Sequence, residues 1–333
     1  MNLNSSKLLF LTMLVFSTMV TVSSNNWLGM WMGLEINLMS FIPLISKSKN
    51  KSSSQAMMIY FLTQSIGSVT LLFSILINSL IFISPFLINE MTKIMIMIGL
   101  MIKVGMAPFH LWLPEMMSNL NWMECAILMT WQKIAPLTIM SMILPNNWFI
   151  YLAIILSSAV GAIGGLNQTS LRKILAFSSI NHLGWMVMFM SMSNSWYKYL
   201  MIYSILIMMV CYIFNKKNAY FINQLSSSSS SLMEKYMYVM LMMSIGGLPP
   251  FLGFLPKWMV MQSMINSNLL GLMTLMMLFS LLTLFYYLRM MTSYILSYSM
   301  MNKFVMSYSK KMPLYLLCLM NMSLPLFSIF SFF

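Results

Sequence analysis

Long apolar runs separated by short polar breaks dominate the chain from one end to the other. A helix rises about 1.5 Å per residue and the hydrocarbon core of a bilayer is about 30 Å thick, so about 20 apolar residues make one crossing. On that length the pattern predicts about eleven spans, near 3–24, 26–45, 55–83, 91–118, 123–144, 147–166, 170–191, 195–214, 233–266, 268–298 and 313–332. The fourth and ninth are too long for one straight crossing. The fourth is interrupted at Ala107-Pro108, the ninth at Gly246-Gly247-Leu248-Pro249-Pro250. The expected fold is an all-α polytopic membrane protein in which two helices are discontinuous.

Composition excludes a water-soluble reading. Of 333 residues, 60% are hydrophobic and only 7% charged, and the mean hydropathy is +0.83. A soluble domain carries about a quarter charged residues to cover its surface. Here lipid must be the solvent for most of the exterior. Lys7 followed by Leu8 to Val22 has the outline of a signal peptide, but Ser23-Ser24-Asn25-Asn26 makes a poor cleavage site, so the segment reads as a retained first helix. The one plainly polar stretch, 215–231 with its run Ser226 to Ser231, reads as a flexible loop within a single transmembrane domain, 1–333.

The charge balance adds an orientation. Eighteen Lys and Arg stand against five acids, all glutamates, for a net charge of +13. With eleven spans, the N-terminus and the even-numbered connections share one face. That face collects Lys7, Lys47, Lys49, Lys51, Arg172, Lys173, Lys216, Lys217, Lys235, Lys303, Lys310 and Lys311. The other face has Lys198 and Lys93, the latter beside Glu90. Basic loops stay on the inner side of a membrane, which places the N-terminus there. Nucleic acid is not an expected partner, since no basic run exceeds two residues and RNA-binding signatures are absent. Cys125, Cys211 and Cys318 are scattered through apolar stretches, without the spacing of a zinc or iron–sulfur site.

Several ionisable groups fall where hydrocarbon should be. A charge at the bilayer centre costs at least about 2.5–3.5 kcal/mol, so it needs a partner or a function. Glu35, Lys103, Lys133 and Lys257 are the clear cases, and His110 and His182 add switchable groups. Removing an amine from water disfavours its charged form and a nearby carboxylate favours it, so a contact between the two can govern proton affinity. Proline lacks an N–H: Pro108 leaves the carbonyl of Val104, Pro136 that of Gln132, and Pro249 and Pro250 those of Ile245 and Gly246. Free carbonyls at membrane depth are tolerated where they face protein or water, and broken helices aimed at an ion site are common in transporters. Glu90 and Lys93 read as interfacial, Glu115 and Glu124 as wetted residues at a span end. A lone cation/proton antiporter would want an acidic cation-binding centre, and the chain has no Asp and one deep Glu.

Three blocks carry a resemblance. Lys103-Val-Gly-Met-Ala-Pro-Phe-His110-Leu-Trp-Leu-Pro-Glu115, Leu171-Arg-Lys-Ile-Leu-Ala-Phe-Ser-Ser-Ile-Asn-His182-Leu-Gly-Trp185 and Gly246-Gly-Leu-Pro-Pro-Phe-Leu-Gly-Phe-Leu-Pro-Lys257-Trp258 resemble the antiporter-like membrane subunits of respiratory complex I, NADH:ubiquinone oxidoreductase. The 45 methionines and the missing Asp also resemble the usage of an AT-rich animal mitochondrial genome. The resemblance implies antiporter-like inverted repeats of five helices, each with one broken helix. It implies proton translocation across the mitochondrial inner membrane, coupled to electron transfer from NADH to ubiquinone elsewhere, with the inner side being the matrix. Glu35 would pair with Lys103, Lys133 would sit at the centre, and Lys257 would lead toward the exit. His110 and His182 would belong to the connecting water path. The resemblance also implies no cofactor in this chain, with NADH, FMN, iron–sulfur clusters and ubiquinone bound by other subunits. Its partners would be the other membrane-arm subunits, further antiporter-like ones among them, and membrane lipids.

Overall fold

In the computed structural model the residues described are 5–46, 51–80, 85–144, 148–193, 195–227, 232–299 and 321–323. They form two compact units, Met1–Leu156 and Ser157–Phe333. Apart from one isolated bridge between Ser170 and Phe221, the ordered backbone is helical among the described residues. This follows from the solvent: in hydrocarbon every backbone N–H and C=O must be satisfied within the segment, and a helix does that alone.

The first unit holds α1 (Ser5–Ser23), α2 (Trp27–Ile45), α3 (Lys51–Leu80), α4 (Pro85–Val104), α5 (Trp112–Asn119), α6 (Trp122–Met129) and α7 (Ile134–Ile143). Helix α8 (Trp148–Gly165) runs across the boundary. The second unit continues with α9 (Leu171–Met192), α10 (Trp196–Lys217), α11 (Ile222–Ser227), α12 (Leu232–Gly246), α13 (Phe254–Asn266) and α14 (Leu270–Ser299). Among the described residues, eight stretches are long and apolar enough to cross a membrane: α1, α2, α3, the continuous run Trp122–Ile143, α8, α9, α10 and α14. The fourth and ninth expected spans are each split, into α4 with α5 and α12 with α13. Ten of the eleven expected spans are thus accounted for. The eleventh, 313–332, falls almost wholly outside the described residues. The polar stretch 215–231 contains the end of α10 and the short α11, and residues 228–231 lie outside the description.

Both broken helices stop in the same way. Helix α4 ends at Gly105, whose φ is 77°, and the N–H groups of Gly105 and Met106 both donate to the carbonyl of Met101. Helix α12 ends at Gly247, with φ 82°, and the N–H groups of Gly247 and Leu248 donate to Met243 O. A left-handed glycine reverses the chain and turns the last N–H groups back onto the helix, and a proline shortly after prevents it from resuming. The run 122–143 is modified more subtly. A 3-10 turn at Trp131–Lys133 joins α6 to α7, and Pro136 follows within the first turn of α7. The freed carbonyl before Pro136 does not by itself predict this change of helix type.

Burial is uneven, as expected for helices wrapped by lipid or by neighbours. Helix α9 is buried almost throughout, whereas α1 and α14 bury under a third of their spans and present residues such as Phe16, Met19, Leu278 and Phe285 outward.

Candidate functional site

In the first unit the break after α4 creates the site. The carbonyls at the end of α4 have lost their helical donors and take side-chain ones instead: Gln64 Nε2 donates to Lys103 O at 3.0 Å, and Trp112 Nε1 donates to Ile102 O at 3.1 Å. One donor comes from α3 and the other from the restart at α5, so the break is pinned from both sides. Lys103, on the last turn of α4, is buried. Its Nζ lies 3.7 Å from Glu35 Oε1 on α2. The pairing implied for these two residues is present. Gly67 on α3 makes room for the lysine, since a Cβ there would lie 2.9 Å from Lys103 Cγ.

Lys133 is 2% exposed and closes the 3-10 turn. It lines a cavity shared with Lys103, Asn37, Tyr60, Gln64 and Gln132. The Tyr60 hydroxyl donates to Gln132 Oε1 at 3.4 Å, while the buried Gln132 Nε2 and Asn37 Oδ1 make no hydrogen bond. A buried donor, a buried acceptor and two ammonium groups around a space large enough for water are the conditions under which a water molecule is held.

His110 lies elsewhere, in the connection between α4 and α5. It is half-buried, and its Nδ1 sits 3.1 Å from Pro108 O. Glu124 accepts from the N–H of Asn121 at 3.1 Å and from its side chain at 3.2 Å, which caps α6. Glu115 is exposed on α5. Lys93 and Glu90 form an exposed pair at 3.5 Å.

In the second unit Lys257, on α13, is buried, and its Nζ donates to Gly246 O at 2.8 Å. That carbonyl is one of those that the prolines of the break cannot reach. The lysine thus caps the end of α12, where the helix dipole favours a cation. It packs so closely that a Cβ on Gly247 would come within 2.9 Å of its Nζ. His182, in the buried middle of α9, has its Nδ1 2.8 Å from the Tyr199 hydroxyl.

A sequence profile for NADH:quinone oxidoreductase and Mrp antiporter transmembrane subunits matches residues 24–285. The NADH-ubiquinone oxidoreductase chain 2 of Locusta migratoria is 48% identical over 295 residues, covering 88% of this chain and 86% of that protein. This chain belongs to the NADH-ubiquinone oxidoreductase chain 2 family. Chain 2 of Anopheles gambiae is 46% identical over 91% of this chain and 87% of that protein, and chain 2 of Oryctolagus cuniculus 38% over 94% of each. Among solved structures, a chain of respiratory complex I from Thermus thermophilus superposes with a TM-score of 0.80 at 20% identity, over 87% of this chain and 71% of that one. A chain of the Mrp complex from Dietzia sp. gives 0.76 at 16% identity, over 85% and 59%. At such identities these likenesses speak for a shared antiporter-like fold. The expected fold, family and membership of a respiratory enzyme complex therefore hold for this chain. Among the described residues no group of three or more His, Cys, Asp or Glu is placed to hold a metal ion.

Sequence reasoning passed over the neutral members of the site. Asn37, Tyr60, Gln64 and Gln132 each lie inside an expected span, where a polar group without a partner is costly, and that signal was available. It also passed over Arg289, within the tenth span, which donates to the carbonyls of Leu166 and, at 2.7 Å, Gln168.

Proposed function

We propose that this chain carries protons through the membrane arm of a mitochondrial respiratory NADH:ubiquinone oxidoreductase, driven by redox chemistry in other subunits. One observation carries the reading: Lys103, held by Glu35, and Lys133, set in a 3-10 turn, line one polar cavity of water size inside a membrane domain. A proton leaving one of these two lysines can pass through water in the cavity to the other when that other is a neutral amine. Making or breaking the Glu35–Lys103 contact changes how strongly Lys103 holds its proton, which is a gate.

The row Glu35, Lys103, Lys133 and Lys257, with His110 and His182 on the connecting water path, constitutes the proposed route. The chain acts as one antiporter-like domain, with its N-terminus and basic loops toward the matrix. Each charge moved against 100 mV costs about 2.3 kcal/mol, so the energy must come from NADH oxidation elsewhere in the complex. NADH, FMN, iron–sulfur clusters and ubiquinone are assigned to other subunits. The neighbours are the other membrane-arm subunits and the lipids around them.

The test is Lys133→Met in the intact complex, reading NADH–quinone turnover and proton uptake together. Loss of pumping, or of turnover with it, in a normally assembled complex is the expected result. Normal rates with an unchanged proton-to-electron ratio would make the central lysine structural and end this reading.

A further inference from the structure

The second unit contains a buried cluster of hydroxyl groups that the lysine route does not use. His182 Nδ1 and the Tyr199 hydroxyl are 2.8 Å apart, and the His182 and Tyr203 rings are 4.9 Å apart between centroids. Tyr287 on α14 lies within electrostatic reach of both Tyr199 and Tyr203. Its own hydroxyl is near those of Ser178 on α9 and Tyr286, while Tyr203 is near Ser179. All of these side chains are buried. One turn beyond Tyr286, Arg289 donates to the carbonyls of Leu166 and Gln168 in the connection between α8 and α9. The cluster therefore extends from His182, in the middle of α9, toward the end of the unit where that connection lies.

Packing alone does not call for this composition. A buried hydroxyl without a good hydrogen bond is costly, and here tyrosines stand where phenylalanine would fill the same space. Tyr286 and Tyr287 close no hydrogen bond of good geometry although their hydroxyls are buried. Groups that can both donate and accept, and that are not locked to one partner, can change partners by rotating about the C–O bond.

We propose that the hydroxyls of Tyr199, Tyr203 and Tyr287 relay protons between His182 and the Arg289 end of the second unit, beside Ser178 and Ser179, whose own protons are given to the carbonyls of Leu175 and Ala176. Each step is a hop: a proton binds a free lone pair of one oxygen as that oxygen releases its own proton to the next, so one O–H bond forms as another breaks. At His182 the Nδ1 exchanges with Tyr199 while the second ring nitrogen exchanges on the far side, which transmits a proton with no net change of charge on the ring. No oxidant or reductant is needed. This inference rests on the proton-translocation reading and adds an access branch to it, opening at the face that carries the α8–α9 connection.

The experiment uses Tyr→Phe variants in the intact complex, since each removes one oxygen and keeps the ring. Tyr199→Phe, Tyr203→Phe and Tyr287→Phe are assayed beside Lys133→Met. The readouts are the amount of assembled complex, turnover per assembled complex, the proton-to-electron ratio and the solvent deuterium isotope effect on turnover. The expected result is normal assembly for at least two of the three, with turnover per complex down about tenfold, since a positioned proton carrier contributes about 10²–10⁴-fold and water can fill part of the gap. The isotope effect rises with it, a change that a merely structural role would not produce. Wild-type turnover, proton ratio and isotope effect in the assembled variants, with Lys133→Met inactive, would overturn the relay and leave the lysine route standing. Should Lys133→Met pump normally as well, both readings fall. If a single variant fails to assemble, the other two decide the matter.

Discussion

The ammonium of Lys103 and the carboxylate of Glu35 face each other across 3.7 Å, the lysine side chain 2% exposed and the glutamate 25%. A locked, charge-assisted hydrogen bond would be nearer about 2.8 Å. The pair is thus close enough to stabilise both charges and loose enough to be opened. Its members also live in different surroundings: the lysine is sealed inside the unit, while the glutamate reaches its outer surface.

From this asymmetry we expect Glu35→Gln to be more harmful alone than together with Lys103→Met. The single variant leaves a buried cation uncompensated, whereas the double removes both charges. Native-gel quantification of assembled complex should rank the double variant above Glu35→Gln. Turnover per assembled complex should be low in both. Equal assembly of the two variants would mean that the pair contributes no structural coupling.

Gln132→Leu should lower turnover per complex by roughly tenfold while assembly is preserved, because it keeps much of the side-chain volume but removes the polar groups that would hold water between the two lysines. Tyr60 loses its acceptor at the same time. Unchanged turnover would show that proton transfer between Lys103 and Lys133 does not depend on this cavity.

Gln64→Leu acts on a different link. It removes the donor to Lys103 O and leaves a carbonyl at the break of α4 unsatisfied, a loss of about 1–3 kcal/mol. We expect reduced thermal stability of the complex together with reduced turnover. A variant as stable as wild type would mean that the freed carbonyl finds water instead.

Adjacent glycines provide an internal comparison. Gly247→Ala imposes a left-handed φ of 82° on a residue with a Cβ and drives that Cβ to 2.9 Å from Lys257 Nζ, so it should destabilise by about 1–3 kcal/mol and dislodge the lysine. Gly246→Ala meets its nearest neighbour, Tyr287, at an ordinary 3.5 Å and should be tolerated. Thermal inactivation of NADH–quinone turnover separates the two, and similar curves would contradict the assignment of Gly247 as the turn that seats Lys257.

By itself, the sequence determined the membrane class, the positions of ten spans and the two breaks. The bilayer makes these local properties: a run of about 20 apolar residues must be a helix, and a glycine with proline shortly after, as at Gly105 and Pro108 or Gly247 and Pro249-Pro250, stops one. The buried charges were legible for the same reason, since Glu35, Lys103, Lys133 and Lys257 stand out in hydrocarbon whatever surrounds them. Tertiary structure alone decided which groups meet. That Gly246 is the carbonyl Lys257 takes, that Lys133 falls in a 3-10 turn, and that Gln64 serves Lys103 O while Gln132 shares the lysines' cavity are matters of how helices lie against one another. Neutral side chains were hardest to read. An Asn, Gln or Tyr in a span costs less than a charge and is satisfied by any passing carbonyl, so its partner, and with it its role, is fixed only when the helices pack.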